Sequence, residues 1–361
     1  MSFAVQAQQS DDILNILVRK NVLTQQEADS IRSEQATREQ KKRDKEKENQ
    51  HNIFIGSRAL QISGLVQARY QVFEQKNIND AFDLHRARLD AKGSITDKWS
   101  YEIYTEFAAS VKLLDAYTTY KIAAFLKVTA GQFKIPFSYE SLTPDSQLEF
   151  IDRSQAVEAL AGRSKDIIGN QNGRDIGIQV SGDFIKVKDR YLLDYAFGVF
   201  NGAGYDVTTD NNNYKDIAVR LGVHVLKGLN FGGSFYGGED IPAGNTQTQV
   251  RNRFGFDGRF MQGPLSLTTE YVHGTDASVQ KQGWYAQAGY FVVWQKLQLV
   301  ARYDTYNPNS KTVSARTRIY TTGANYVFNQ WTRLEINYLN KREEKIQTPN
   351  NIIETQMQIA F

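Results

Sequence analysis

The sequence has no cysteine, so neither a disulfide framework nor a thiolate metal site can be built from it. Histidine is nearly as scarce. His51, His85, His224 and His273 are scattered, and no two have the spacing of metal ligands on a helix. The six prolines all fall in connections or at a strand start, where a residue without an N–H harms a sheet least. No run approaches the roughly 20 apolar residues of a membrane-spanning helix, and mean hydropathy is negative, −0.50. The net charge is only +3. That is too small to imply nucleic acid as a partner, and no basic, aromatic-interleaved run occurs in the strand-like region.

What is abundant is Tyr (19), Phe (20) and Gly (26) in a polar chain of 361 residues. That combination fits a β-barrel of the bacterial outer membrane, in which only every second strand residue meets lipid. The chain divides into three parts. Residues 1–9 resemble the tail of a secretory signal, with Ala4-Val5-Gln6-Ala7 as a small-residue cleavage region, though the charged and apolar parts expected before it are missing. Residues 10–50 have a helical period: Ile13, Leu14 and Leu17 form a short stripe, and Thr24-Gln25-Gln26-Glu27 reads as a capping box. The charged run 38–48 is a solvated helix or linker, with too few apolar positions to favour a coiled coil. From 57 to 361 the period is 2. Leu60, Ile62, Val66, Tyr70 and Val72 alternate with Gln61, Ser63, Gln67, Arg69 and Gln71, and similar stripes recur to the end of the chain.

The connections alternate short and long. Seven short turns, near 96–98, 122–124, 184–189, 227–228, 262–264, 294–296 and 329–330, are interleaved with eight longer links. The longer ones lie near 74–81, 109–113, 134–173, 201–214, 238–251, 274–282, 307–315 and 341–351. This predicts about 16 antiparallel strands, both ends on one side, with short periplasmic turns and long outer loops. A soluble sandwich is disfavoured because the polar face is too charged for a core and the apolar face too extensive for water. The last strand, 353–361, alternates cleanly and ends on Phe361.

The third long link, 134–173, is too long for an idle loop. Ile135, Phe137, Leu148, Phe150, Ile151, Val157 and Leu160 are mixed there with Lys134, Tyr139, Glu140, Asp145, Asp152, Arg153, Arg163 and Lys165. Such a mixture suits a segment folded inward against the wall as a constriction; a surface Ω-loop or mobile lid is the alternative.

Several blocks give this pattern a family. Arg86-Ala87-Arg88-Leu89, Asp115-Ala116-Tyr117 and Gly131-Gln132-Phe133-Lys134-Ile135-Pro136-Phe137 come first. Gly198-Val199-Phe200-Asn201-Gly202, Gly283-Trp284-Tyr285-Ala286-Gln287, Arg302-Tyr303-Asp304, Gly323-Ala324-Asn325-Tyr326 and Ile336-Asn337-Tyr338 follow in order. Over about 300 residues, 60–361, the chain resembles the phosphate- and polyphosphate-selective porins. The resemblance implies a homotrimeric, 16-stranded outer-membrane channel with its third outer loop in the lumen, no cofactor, and small anions such as phosphate as solutes. It departs from the family at two places. His85-Arg86 stands where phosphate-specific members look as though they carry two arginines, and Ser141 follows Glu140 where they place a lysine.

On the polar faces, Arg69, Arg86, Arg88, Lys121, Lys127, Arg220 and Arg302 are set against Asp90, Glu102, Asp115, Asp257, Glu270, Asp304 and Glu354. With the signs so nearly balanced, selectivity depends on where charges cluster. Arg69, Arg86, Arg88, Lys121, Lys127 and Arg220 are the candidates for an anion path. If the link 74–81 is symmetric, Arg69 falls opposite or nearly opposite Arg86, with Asp90 and Glu102 the nearest carboxylates to relieve the repulsion. The alternatives are a weakly selective general diffusion porin and a structural protein tied to the periplasm through its N-terminal helix. An enzyme is not expected: His224 and Ser234 lie on adjacent strands without an evident third partner. Asp206 and the asparagines after it, at 211–213, read as a solvated loop, with Ca²⁺ binding the lesser alternative.

Overall fold

The computed structural model describes Lys20 and residues 52–55, 58–163, 166, 172–207, 209–210, 212–241, 247–312 and 315–361. The chain forms two units, up to Ile55 and from Gly56 onward. Of the first unit, Lys20 and a short strand, Asn52–Ile55, are described. The expectations for 1–9 and, Lys20 apart, for 10–50 lie outside the described residues.

The second unit turns the two-residue period into sixteen strands. They are β1 (Arg58–Phe73), β2 (Ala81–Ser94), β3 (Trp99–Glu106), β4 (Lys112–Ala123), β5 (Leu126–Lys134), β6 (Arg174–Val187), β7 (Arg190–Phe200) and β8 (Asp216–Leu226). Then come β9 (Leu229–Asp240), β10 (Gln249–Gln262), β11 (Leu265–Asp276), β12 (Val279–Val293), β13 (Leu297–Asn307), β14 (Thr317–Val327), β15 (Thr332–Glu343) and β16 (Ile352–Ala360). Each strand pairs antiparallel with the next, and β16 pairs with β1, Gln356 opposite Arg69, which closes the ring. Closure leaves no edge with unpaired N–H and C=O groups, the condition for crossing a bilayer with strands. Phe361 exchanges both backbone hydrogen bonds with Gly64 (2.7 and 3.0 Å) and tightens the seam.

Alternation sorts side chains by face. Ile103, Leu221, Phe256, Tyr290, Leu299 and Ile336 are exposed, whereas Gln67, Arg86, Glu270, Arg302, Glu335 and Gln356 are buried. This inverted pattern belongs to a barrel whose outside meets hydrocarbon and whose inside is polar. Tyr and Trp pack across strands on the outer face, as in Trp99–Tyr120 (4.7 Å) and Trp284–Tyr303–Tyr320 (5.0 and 5.1 Å), where amphipathic rings suit a membrane interface.

Two connections differ from expectation. The 184–189 turn is a two-residue turn, because β6 runs on to Val187. The link expected at 274–282 is equally tight: β11 and β12 continue to Asp276 and from Val279, with Ala277 at φ 52°. Polar residues there stay in the ladder because neighbouring strands supply backbone partners.

Gly131 has φ +131°, and a Cβ there would lie 2.3 Å from the Ala116 carbonyl oxygen. Gly131→Ala is therefore expected to destabilise the β4–β5 hairpin by about 1–3 kcal/mol. A lower temperature for the heat-induced mobility shift on gels would register it, while the parent should show strand-dominated circular dichroism.

Candidate functional site: a charged segment against the polar wall

The segment between β5 and β6 is too irregular to hold its own shape, yet much of it is buried. Helix α1 (Tyr139–Leu142) has four residues and α2 (Gln155–Leu160) six, below the length at which isolated helices persist. The wall supplies what they lack. Glu270 on β11 accepts from the N–H groups of Tyr139 and Glu140 (both 3.1 Å), a carboxylate at the positive end of α1. Lys134 caps the other end, donating to the Leu142 carbonyl (3.0 Å). At α2, Ser154 Oγ accepts from Val157 N (3.3 Å), and Asp304 Oδ2 accepts from Gln155 N (2.9 Å).

Apolar packing fixes one side of the segment. Phe137, Val157 and Leu160 join Phe133, Phe200, Tyr236, Val272 and Tyr285 in a buried cluster, so a dry core lies against β7–β12. The other side is held by charge. Asp145 takes ion pairs from Arg88 and Arg153, and Arg86 Nη2 lies 3.4 Å away. Burial alone would push the Asp145 carboxyl up, but Arg153, Arg86 and Arg88 together hold it well below the usual carboxylate range. Arg88 also donates to Glu106 (2.6 Å), and Arg86 to Gln67 Oε1 (2.7 Å). Arg302 reaches Glu140 (3.4 Å) and lies over the Phe150 ring at 4.5 Å.

Two cavities flank this seam along β1–β4, the first reaching β13–β15 and the second β5, β6 and β16. Toward the long links lies one of about 570 Å³, lined by eight cationic side chains (Arg69, Arg86, Arg88, Lys112, Arg153, Arg163, Arg302, Lys341) and five acidic ones (Asp83, Glu106, Asp152, Glu158, Asp304). Toward the short turns lies one of about 820 Å³, in which Lys92, Lys127, Lys134 and Arg174 are matched by Asp90, Glu102, Asp115 and Asp145.

Arg69, Arg86, Arg88, Asp152, Arg153 and Arg163 thus come together in the first cavity. Lys134 and Lys127 line the second, and Lys127 is paired with Asp183 (2.8 Å). Lys121 is exposed and opposite Lys127 in register. Arg220 lines neither cavity and pairs with Asp257 (2.7 Å). Tyr139 lies beneath Arg259, 4.9 Å from ring centre to guanidinium, and Glu140 caps Ser154 (Oγ–Oε2 2.8 Å). Lys165 is outside the described residues.

The expected facing of Arg69 and Arg86 is not found. Arg69 is opposite Asp83 and bonds it at 2.6 Å, while Arg86 is opposite Gln67. The hairpin is centred earlier than symmetry of the link suggested, Gln71 facing Ala81, and His85 is a bulged extra residue. The bulge lets His85 bond Gln356 (2.8 Å) next to an inward Arg86. Charge relief comes from Asp83, Glu106, Asp145 and Asp152 rather than Asp90 and Glu102, because the tertiary fold brings the segment's acids to β2. Lys112 and Lys341 were not singled out from sequence; both sit at strand ends, where facing depends on loop path.

Among the described residues no group of His, Asp or Glu has metal-binding geometry. His224 bonds Asp194 and Asn230, and register puts Ser234 opposite Arg220, four residues from His224 along the strand.

Residues 60–223 and 237–361 match the family described as phosphate-selective porin O and P. No curated protein matches the sequence. Among solved structures, the barrel is similar to the anion-selective porin from Comamonas acidovorans, at 12% identity and TM-score 0.64 over 84% of this chain and all of that one. Salmonella typhi OmpF in complex with daunomycin aligns at 13% identity and TM-score 0.65 over 86% and 100% of the two chains. OmpT of Vibrio cholerae, in a trimer form, aligns at 12% identity and TM-score 0.60 over 85% and 100%. At these identities the likeness is one of fold.

Breaking the seam should release the segment. Asp145→Asn leaves three guanidiniums without their shared carboxylate, a loss of about 3–5 kcal/mol. Trypsin is expected to cut the variant within the segment while the barrel stays heat-modifiable. Because the Asp145 carboxyl is depressed on folding, its stabilisation is present above the unfolded value and lost only as pH falls through the folded one. The parent should resist trypsin-like cleavage by an acid-tolerant protease even at about pH 4.

Proposed function

The chain belongs to the phosphate-selective porin O and P family, and from that premise we propose that this outer-membrane diffusion channel prefers small anions, phosphate among them. The supporting observation is the excess of cationic over acidic side chains in the cavity toward the long links, against an even balance in the other. A narrow, low-dielectric passage weights such an excess far above charges elsewhere on the molecule. The inward segment serves as the constriction, and Arg69, Arg86, Arg88 and Arg153 line the path past it. Porins turn their long links outward. The cationic cavity then faces the exterior, and residues 10–50 lie on the periplasmic side, where an even strand number leaves both barrel ends. A homotrimer is the assembly we favour, in keeping with the trimer form of OmpT.

Two measurements in planar bilayers test this. Replacing Arg69 and Lys112 by glutamate should move the zero-current potential in a KCl gradient toward cation preference; an unmoved potential would leave a weakly selective porin. Deleting 143–162 should raise single-channel conductance several-fold in a folded barrel, and unchanged conductance would remove the segment from the permeation path.

A further inference from the structure

Most carboxylates beside the cationic cavity are struts. Asp145 is enclosed by guanidiniums, and Glu106 accepts from Arg88 and from the N–H groups of Ala87 (2.8 Å) and Ala108 (3.0 Å). Asp152 is different. Its side chain retains 39% of its exposure and that of Asp83 40%, but Asp83 is closed onto Arg69 at 2.6 Å and Asp152 is not. Its carboxylate lies 3.4 Å from Arg69 Nη1 and 3.6 Å from His85 Nε2, longer than the roughly 2.7–2.9 Å of a closed charge-assisted bond. Glu354, 3.8 Å from the same Arg69 nitrogen, hydrogen-bonds the Asp152 carboxylate, so the two side chains share that nitrogen.

The backbone around Asp152 does not depend on this contact. Ile151 N donates to Asn337 Oδ1 (2.9 Å), the Asp152 carbonyl accepts from Arg302 (3.0 Å), and Arg153 Nε donates to the Glu140 carbonyl (3.0 Å). The side chain therefore projects from a pinned segment into the cavity, held by one guanidinium and one imidazole at loose distances.

We propose that Asp152 is a specificity-determining residue, a tethered carboxylate occupying the place that a small oxyanion takes at Arg69 and His85. The proposal rests on the anion-conducting reading above. Asp83 takes the paired Nε and Nη2 face of Arg69, and Asp152 meets Nη1 and His85 with one oxygen, Oδ1, a position that a single phosphate oxygen can fill as well. Being covalently attached, Asp152 competes at an effective concentration on the order of millimolar. A passing oxyanion displaces it and is displaced in turn, which keeps binding weak enough for release.

The test uses the purified full-length porin in planar bilayers, with inorganic phosphate as blocker of chloride current. Asp152→Asn is expected to lower the half-blocking phosphate concentration several-fold and move the zero-current potential toward anion preference. Asp152→Ser should do the same, and Asp152→Glu should return the block toward the parent value. Glu158→Gln removes a charge from the same cavity at a side chain paired with Arg163 (3.2 Å) instead of Arg69. It should leave the half-blocking concentration where it is, and an equal drop would reduce Asp152 to a through-space charge and overturn the proposal. Arg69→Glu separates the two readings. If it moves the zero-current potential while Asp152→Asn leaves the phosphate block unchanged, the channel reading stands and the competitor falls. If Arg69→Glu moves nothing, the cationic-cavity reading falls and this one with it. Heat-modifiable migration of each variant shows that the barrel has formed.

Discussion

One carboxylate among three guanidiniums, Asp145 with Arg86, Arg88 and Arg153, joins the segment between β5 and β6 to the wall. None of these groups tolerates burial alone, since an unpaired charge in so dry a place carries a penalty of several kcal/mol. Together they are mutually satisfied, and the seam becomes a unit that forms or fails as a whole. The remaining order follows from it. Arg153 also donates to the carbonyls of Glu140 and Thr143, which fixes the turn between the two short helices. With that turn fixed, Glu140 can serve Ser154 and Arg302 at once.

A long irregular segment loses much conformational freedom when it is ordered, and no hydrogen-bonded ladder of its own offsets that loss. Here two unlike forces share the work. Against β7–β12 the segment is held as a soluble protein holds a helix, by Val157 and Leu160 packed with Phe200, Tyr236 and Val272. Against β1–β4 it is held by charge, and water-accessible space remains beside the charges. Apolar contact closes space because it gains from excluding water. Ionic contact, needing solvation or exact pairing, leaves space open wherever the pairing is incomplete.

Most of the fold was legible in the sequence because a barrel strand has one simple period, and Leu60, Val66 and Tyr70 against Gln61, Gln67 and Arg69 display it plainly. The alternation of turn lengths then set strand number. Register was less legible. Nothing local announces that the first hairpin turns early or that His85 is bulged; the early turn brings Asp83, and not Arg86, opposite Arg69, and the bulge then sets Arg86 opposite Gln67. Arg69, Arg86 and Arg88 were recognisable as one patch since they lie on neighbouring strands. Their partners were not, because Asp145 and Asp152 reach β1 and β2 from a segment more than fifty positions along the chain, as the 57-residue separation of Arg88 and Asp145 shows. Lys121 and Lys127 carried the right charge and facing, but height along the barrel decides which cavity a side chain meets.

The dry cluster inside β7–β12 divides the barrel's circumference into two provinces. Inward positions of one arc, such as Phe200, Tyr236 and Val272, are buried among packed side chains. Inward positions of the other arc, β13–β16 and β1–β6, border open space. Substitutions in the two arcs therefore bear on different forces: the first on close packing, the second on the charges that hold the segment and border the cavities. A change at a cavity position outside the seam, such as Lys112, alters the charge facing that space and leaves the packed arc untouched.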